Sequence, residues 1–248
     1  MATMPVSLLR TGVEPPRLLV SVQSAQEASD AIDGGADVVD VKDPSRGSLG
    51  FAGPETIGLI DGAGRPVTAA LGECLEWLFE TPFVPGQVSM VKLGLAGLRG
   101  SDWLGEWLRV RQRIDQNRPL TWIAVGYADA MAADAPDVRA IAAAATKTGC
   151  AGLLLDTFDK RGGRLTELIS DDELIGLADL MHTAGLFLAV AGRLNLEDVS
   201  RLAKLPVDVV AVRSAACADG ERRGRIARER VEACREALGH AAACKQAG

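Results

Sequence analysis

The 248 residues carry a formal net charge of −6, and 48% of them are hydrophobic. That is enough apolar material for one sizeable core, and no basic stripe or basic–aromatic cluster offers itself to nucleic acid. No run approaches the ~18 apolar residues of a membrane span, so neither a bilayer nor a nucleic acid is an expected partner.

The start, MATMPVSLLRTGVEPP, lacks the long apolar core of a signal peptide and reads as a leader over residues 1–16. RLLVSV (17–22) is the first strand, and Ser24 with Glu27 has the spacing of a capping box opening a helix. Val38–Lys42 is the second strand, and Gly53-Pro54 opens a short helix to Ile60. PVTAALGE (66–73) and SMVKLGL (89–95) are strands three and four, separated by a stretch without clear periodicity. A helix over 102–116 leads to strand five in PLTWIAVGYAD, and a helix over 136–148 leads to strand six in GLLLDT (152–157). Ser170 and Glu173 cap the next helix, FLAVAG (187–192) is strand seven, and Asn195 caps a helix over 195–204. VDVVAVRS (207–214) is strand eight, and a charged helix is expected from about 221 to 238.

Eight strand patterns alternating with helical links predict an α/β fold, a single (β/α)₈ barrel over residues 17–240 with a short tail over 241–248. The competing open doubly wound sheet usually carries a glycine-rich turn after strand one; here that turn is Gln23-Ser24-Ala25-Gln26, with no GxGxxG anywhere. Five scattered cysteines without a CxxC pair suit reduced thiols in a cytoplasm. Two histidines give a His-based metal site little support, so no metal and no cofactor is expected.

The second strand is the informative one. Its side chains alternate, so Asp40 and Lys42 share one face while Val39 and Val41 share the other. Charged residues on a buried strand need a partner or a cavity. Only six of the 27 basic residues are Lys, which suggests that an amine is wanted where one is kept. Lys42 ends strand two, Lys92 lies in strand four, Asp156 ends strand six and Lys160 follows it. All five can converge at the C-terminal mouth, where barrel chemistry sits. A lysine in a dry pocket beside other cations keeps an unprotonated amine and can form a Schiff base, with carboxylates moving protons. The alternative is a ring of structural salt bridges in the barrel core. Loops after strands seven and eight commonly cradle phosphate, which nominates Gly192, Arg193, Arg213 and Ser214. Tyr127 and the four tryptophans read as packing residues.

The segments DVKDPSRGSLG, VKLGL, LLLDTFDK and the AVAG/AVRSAAC pair together resemble the (5-formylfuran-3-yl)methyl phosphate synthase family over about residues 17–235. The resemblance implies a (β/α)₈ barrel that condenses two molecules of glyceraldehyde 3-phosphate for methanofuran biosynthesis. It further implies that Lys42 is the Schiff-base lysine, Lys92 and Lys160 its supporting lysines, and Asp40 and Asp156 the acidic partners. An Arg- and Ala-rich composition suggests a bacterium, for which the resemblance implies a methylotroph using such cofactors in one-carbon metabolism. Two other readings stay open: a Schiff-base aldolase for another phosphosugar, and a non-catalytic phosphosugar-binding barrel. Self-association into a homo-oligomer is also left open.

Overall fold

The computed structural model describes residues 15–159 and 161–239. The expected leader up to residue 14, Lys160, His240 and the expected tail over 241–248 lie outside the described residues.

Eight parallel strands close into a barrel in sequence order, with the last paired to the first. They are β1 (Arg17–Val22), β2 (Val38–Val41), β3 (Val67–Glu73), β4 (Val88–Gly94), β5 (Thr121–Tyr127), β6 (Gly152–Asp156), β7 (Phe187–Val190) and β8 (Val209–Val212). The helices are α1 (Ala25–Asp33), α2 (Pro54–Gly58), α3 (Trp103–Asp115), α4 (Val138–Ala145), α5 (Leu165–Leu168), α6 (Asp171–Thr183), α7 (Leu196–Leu202) and α8 (Arg228–Ala237). The expected barrel is therefore the fold, with strand bounds within two residues of those read from the pattern.

Strand alternation sorts the core into two parts. Outward residues such as Val20, Val39, Val41, Leu71, Leu93, Leu155 and Val212 pack against the helices. Inward residues such as Leu19, Val38, Met90, Ile123, Leu154, Phe187 and Val209 fill the barrel. Toward the C-terminal ends the inward positions turn polar, at Ser21, Asp40, Thr68, Lys92 and Asp156, all at least nine-tenths buried. On β7 and β8 the inward residues Ala189 and Ala211 are small, and a cavity opens between them and the polar group.

The N-terminal face is tied by aspartates that precede strands. Asp37 accepts the Leu18 N–H and a guanidinium N–H of Arg235, each at 2.9 Å. Asp208 accepts the Leu188 N–H at 2.8 Å and lies 2.7 Å from His182 Nε2. Such partners satisfy strand-end donors that a closed sheet leaves exposed at its rim. Ser170 and Glu173 form the reciprocal cap expected of α6. Arg111 lies over the faces of Trp107 and Trp122, 4.7 and 5.1 Å from the ring centroids, so these tryptophans pack as expected.

The β3–β4 connection, which shows no clear periodicity in the sequence, holds a short 3₁₀ turn at Cys74–Trp77. Two local expectations are corrected. The last helix starts at Arg228 and not near 221, because residues 217–226 fold back on themselves: Cys217 and Ile226 form an antiparallel bridge and Gly220 takes φ +74°. At α1, Ser24 accepts the Glu27 N–H at 3.3 Å, but the Glu27 carboxylate does not return to Ser24. It takes the Gln23 N–H at 2.9 Å and pairs with Arg213, a charge-assisted partner that outcompetes a lone backbone donor.

Candidate active site

Asp40 sits at the centre of the mouth. Its Oδ1 accepts the ammonium of Lys92 and the Thr68 hydroxyl at 2.6 Å, and its Oδ2 accepts the Ser21 hydroxyl at 3.3 Å. The strands explain the meeting. Ser21 pairs with Asp40 across β1–β2, Asp40 with Thr68 across β2–β3, and Ala70 with Lys92 across β3–β4. Neighbours in register on parallel strands point the same way, so four adjacent strands deliver one carboxylate, one ammonium and two hydroxyls to one place. Asp40 is thus paired first with Lys92, whereas the second strand alone suggests Lys42 as its neighbour.

Asp40, Lys42, Lys92 and Asp156 all line the same cavity, together with Leu49, Ala189, Ala191 and Ala211. A second cavity at the β7 and β8 ends is bordered by Gly192, Arg193, Arg213, Ser214 and Arg222. The two share Ser21, Lys42, Asp156, Ala191 and Ala211, so Lys42 and Asp156 stand on the boundary between them. The structure therefore brings together four of the five residues expected at the mouth; the fifth, Lys160, is outside the described residues. Asp156 ends β6 and accepts the Thr157 N–H at 2.7 Å. Asp129, after β5, accepts the Phe158 and Asp159 N–H groups at 2.7 and 2.8 Å and so shapes the loop that leaves Asp156.

The loop after β2 covers the mouth. Asp43 caps the turn at Pro44–Arg46 through the Ser45 N–H at 2.8 Å. Ser48 donates to the Thr157 and Phe158 carbonyls at 2.9 and 3.1 Å, and the Leu49 carbonyl accepts from Gly72 at 2.8 Å. Leu49, 1% exposed, joins the inner core as a stopper over the cavity.

The expected phosphate end divides into distinct parts. Gly192 takes φ +123° and Arg193 φ +54°, an irregular turn that brings backbone close to the second cavity. A Cβ on Gly192 would lie 2.7 Å from Thr157 Cγ2 and 3.2 Å from Leu165 Cβ. The Arg193 side chain is exposed and donates to the Gly162 carbonyl. Arg213 is expected from its strand end to donate to phosphate, but all five of its N–H groups are engaged within the protein. They go to the Glu27 carboxylate twice and to the Ser21, Arg222 and Gly224 carbonyls at 3.0, 3.0 and 2.8 Å. Burial raises the Glu27 carboxyl, and the hydrogen bonds and charge of Arg213 outweigh that and hold it below its ordinary value.

Two residues, one beside the site and one at its wall, are not among those nominated from the sequence. Glu73 ends β3 and accepts the Tyr127 hydroxyl at 2.6 Å and the Ala96 N–H at 2.9 Å. Burial pushes its carboxyl up; the bonds from Tyr127 and Ala96 oppose the rise, and the charges of Glu76 and Asp156 add to it. Tyr127, fully buried, is in register with Asp156 and meets Phe158 edge-on at 5.4 Å. A carboxylate at the end of a barrel strand is the one sequence signal for Glu73. Arg222 is the second, and only its position in the folded-back segment brings it to the cavity.

A closed parallel barrel that buries lysines and carboxylates around a cavity at its C-terminal mouth is of the (β/α)₈ class that handles small molecules there. A family model described as 4-HFC-P synthase matches residues 18–235, and the chain belongs to that family. Relatives named (5-formylfuran-3-yl)methyl phosphate synthase include one from Methanococcus maripaludis strain C5, 35% identical over 242 residues and covering 88% of this chain and 99% of its own. Another, from Methanopyrus kandleri, is 35% identical over 241 residues, covering 90% of this chain and 99% of its own. Among solved structures, 3-hexulose-6-phosphate synthase from Salmonella typhimurium aligns with a TM-score of 0.57 at 16% identity, covering 91% of this chain and all of its own. A phosphoribosylanthranilate isomerase from Thermotoga maritima gives the same score, identity and coverage. At that identity these two show a shared fold. Among the described residues no helix is long and apolar enough to cross a membrane.

Proposed function

We propose that this chain is a (5-formylfuran-3-yl)methyl phosphate synthase acting in the cytoplasm, for methanofuran-type cofactor biosynthesis. In this reading it is a carbon–oxygen lyase acting on phosphates that condenses two molecules of glyceraldehyde 3-phosphate through a lysine Schiff base. The observation that carries it is the convergence of Asp40, Lys42, Lys92 and Asp156 on one cavity in a chain whose relatives bear that name.

The atoms balance without a redox step. Two trioses supply six carbons, and loss of one phosphate and two waters leaves a furan aldehyde carrying the other phosphate. Lys42 Nζ adds to the carbonyl of one triose and forms an iminium. The iminium draws electrons from the adjacent carbon, whose proton a carboxylate removes, leaving an enamine. The enamine carbon attacks the aldehyde of the second triose. Lys92, held on Asp40, is the fixed cation of the pocket and stabilises anionic oxygen during this step. Asp156, on the boundary of the two cavities, shuttles protons in condensation, phosphate elimination and dehydration, with Lys160 as its partner. Gly192, Arg193 and Ser214 border the end that takes a phosphate, with Arg213 behind them.

Incubation with glyceraldehyde 3-phosphate alone tests the proposal. Furan absorbance should grow with one phosphate released per furan, without added cofactor and in the presence of EDTA. Reversible cleavage of a longer sugar phosphate would replace this reading with an aldolase, and binding without turnover would replace it with a silent phosphosugar-binding barrel.

A further inference from the structure

Arg222 and Arg213 are neighbours with opposite circumstances. Arg213 is 6% exposed, and every N–H of its guanidinium has a protein acceptor. Arg222 is half-buried and borders the second cavity with Lys42, Asp156, Gly192 and Ser214. Its only side-chain hydrogen bond among the described residues runs from Nη2 to the Gly47 carbonyl. Among the described residues no carboxylate forms a contact ion pair with it, so it brings unused donors to the cavity wall and its charge is met only at longer range, by Asp156 and Asp43. Burial, with the charges of Arg213 and Arg223, holds its guanidinium below the ordinary value, and Asp156 and Asp43 pull the other way. An anion in the cavity would relieve that cost.

The folded-back segment explains how Arg222 gets there. Arg213 Nε holds the Arg222 carbonyl at 3.0 Å and Arg213 Nη2 holds the Gly224 carbonyl at 2.8 Å. The Ala218 N–H meets the Arg225 carbonyl at 3.0 Å, closing the base of the segment. The Glu27–Arg213 pair is therefore a buried peg on which the tip of the segment hangs.

We propose that Arg222 is the guanidinium that recognises the phosphate group of the substrate, and that Arg213 with Glu27 is the positioning pair that aims it. The inference rests on the reading of this pocket as a phosphosubstrate site, and it adds the residue that supplies the charge. A fork of N–H donors matches phosphate oxygens, and the Gly192–Arg193 turn borders the same cavity.

The test is equilibrium binding of two unreactive probes, inorganic phosphate and glycerol 3-phosphate, by calorimetry, so that no turnover is required. Arg222→Ala should weaken both probes by at least about tenfold, as loss of a charged hydrogen bond does. Arg222→Lys should fall between it and the parent, keeping charge without the fork. Arg223→Ala, on the same segment but lining a different cavity, should lose far less than Arg222→Ala, since it removes only a neighbouring charge and no donor to the probe. Glu27→Gln should weaken binding in the parent yet add nothing in the Arg222→Ala background, a non-additivity that general structural damage does not produce. Unchanged affinity in Arg222→Ala, or a parent that takes up neither probe, overturns the phosphate role. Equal losses from Glu27→Gln in both backgrounds overturn the positioning role. A parent that binds the probes through Arg222 but forms no furan would sink the synthase reading and leave this inference standing.

Discussion

Replacing Asp40 by Asn probes the buried pair at the heart of the mouth. The side chains of Lys92 and Asp40 are 4% and 1% exposed, so solvent screens their interaction little. Asn keeps one oxygen for the Thr68 hydroxyl and turns an NH2 toward Ser21, whose hydroxyl can accept from it, but leaves the Lys92 ammonium buried without a counter-charge. Removing one partner of such a pair costs about 3–5 kcal/mol, a large part of the roughly 5–15 kcal/mol that holds a domain together. Equilibrium urea unfolding should show that loss as a lower midpoint at unchanged slope. The double variant Asp40→Asn, Lys92→Met removes the stranded charge and should recover most of the stability. Neither variant should make furan. A cost for Asp40→Asn below about 1 kcal/mol, or a double variant no more stable than the single, would refute the claim that this ion pair is dry and mutually dependent.

Three further outcomes are expected. Lys42→Arg should be as inactive as Lys42→Ala in the furan assay, since a guanidinium stays protonated and cannot add to a carbonyl; activity retained in the Arg variant would remove Lys42 as nucleophile. Gly192→Ala should cost at least about 2 kcal/mol in urea unfolding, from its left-handed backbone and the crowding against Thr157, and should raise KM more than it lowers kcat; an unperturbed variant would mean the turn is not as constrained as it stands. The Glu27 carboxyl is held below its ordinary 4.5, so its contribution to stability is complete above that value and is lost as pH falls through the lower folded value. The stability gap between the parent and Glu27→Gln should therefore be wide at pH 7 and narrow below about pH 4.5; a gap that is constant with pH would deny the ion pair with Arg213.

What is legible in the sequence follows from how local each cause is. Strand alternation is set within a few residues, so the pattern alone puts Asp40 and Lys42 on the inner face and Val39 and Val41 on the outer one. The eight strands and the mouth location of Asp40, Lys42, Lys92 and Asp156 follow from the same period-two pattern. Pairings across the barrel are not legible. Arg213 meets Glu27 across 186 positions of sequence, and that contact turns an apparent capping-box residue into a buried counter-ion and an apparent phosphate donor into a peg. Arg222 is hidden in a segment whose charged, helix-favouring composition suggests the start of α8. The bridge between Cys217 and Ile226 overrides that local preference and carries the arginine to the cavity.

The most direct test of the central claim is borohydride reduction of the protein mixed with glyceraldehyde 3-phosphate, followed by peptide-resolved mass spectrometry. If Lys42 forms the iminium, a triose-derived mass should appear on the peptide that contains it and vanish in Lys42→Ala. A label carried by Lys92 or another lysine, with Lys42 unmodified, would contradict the account.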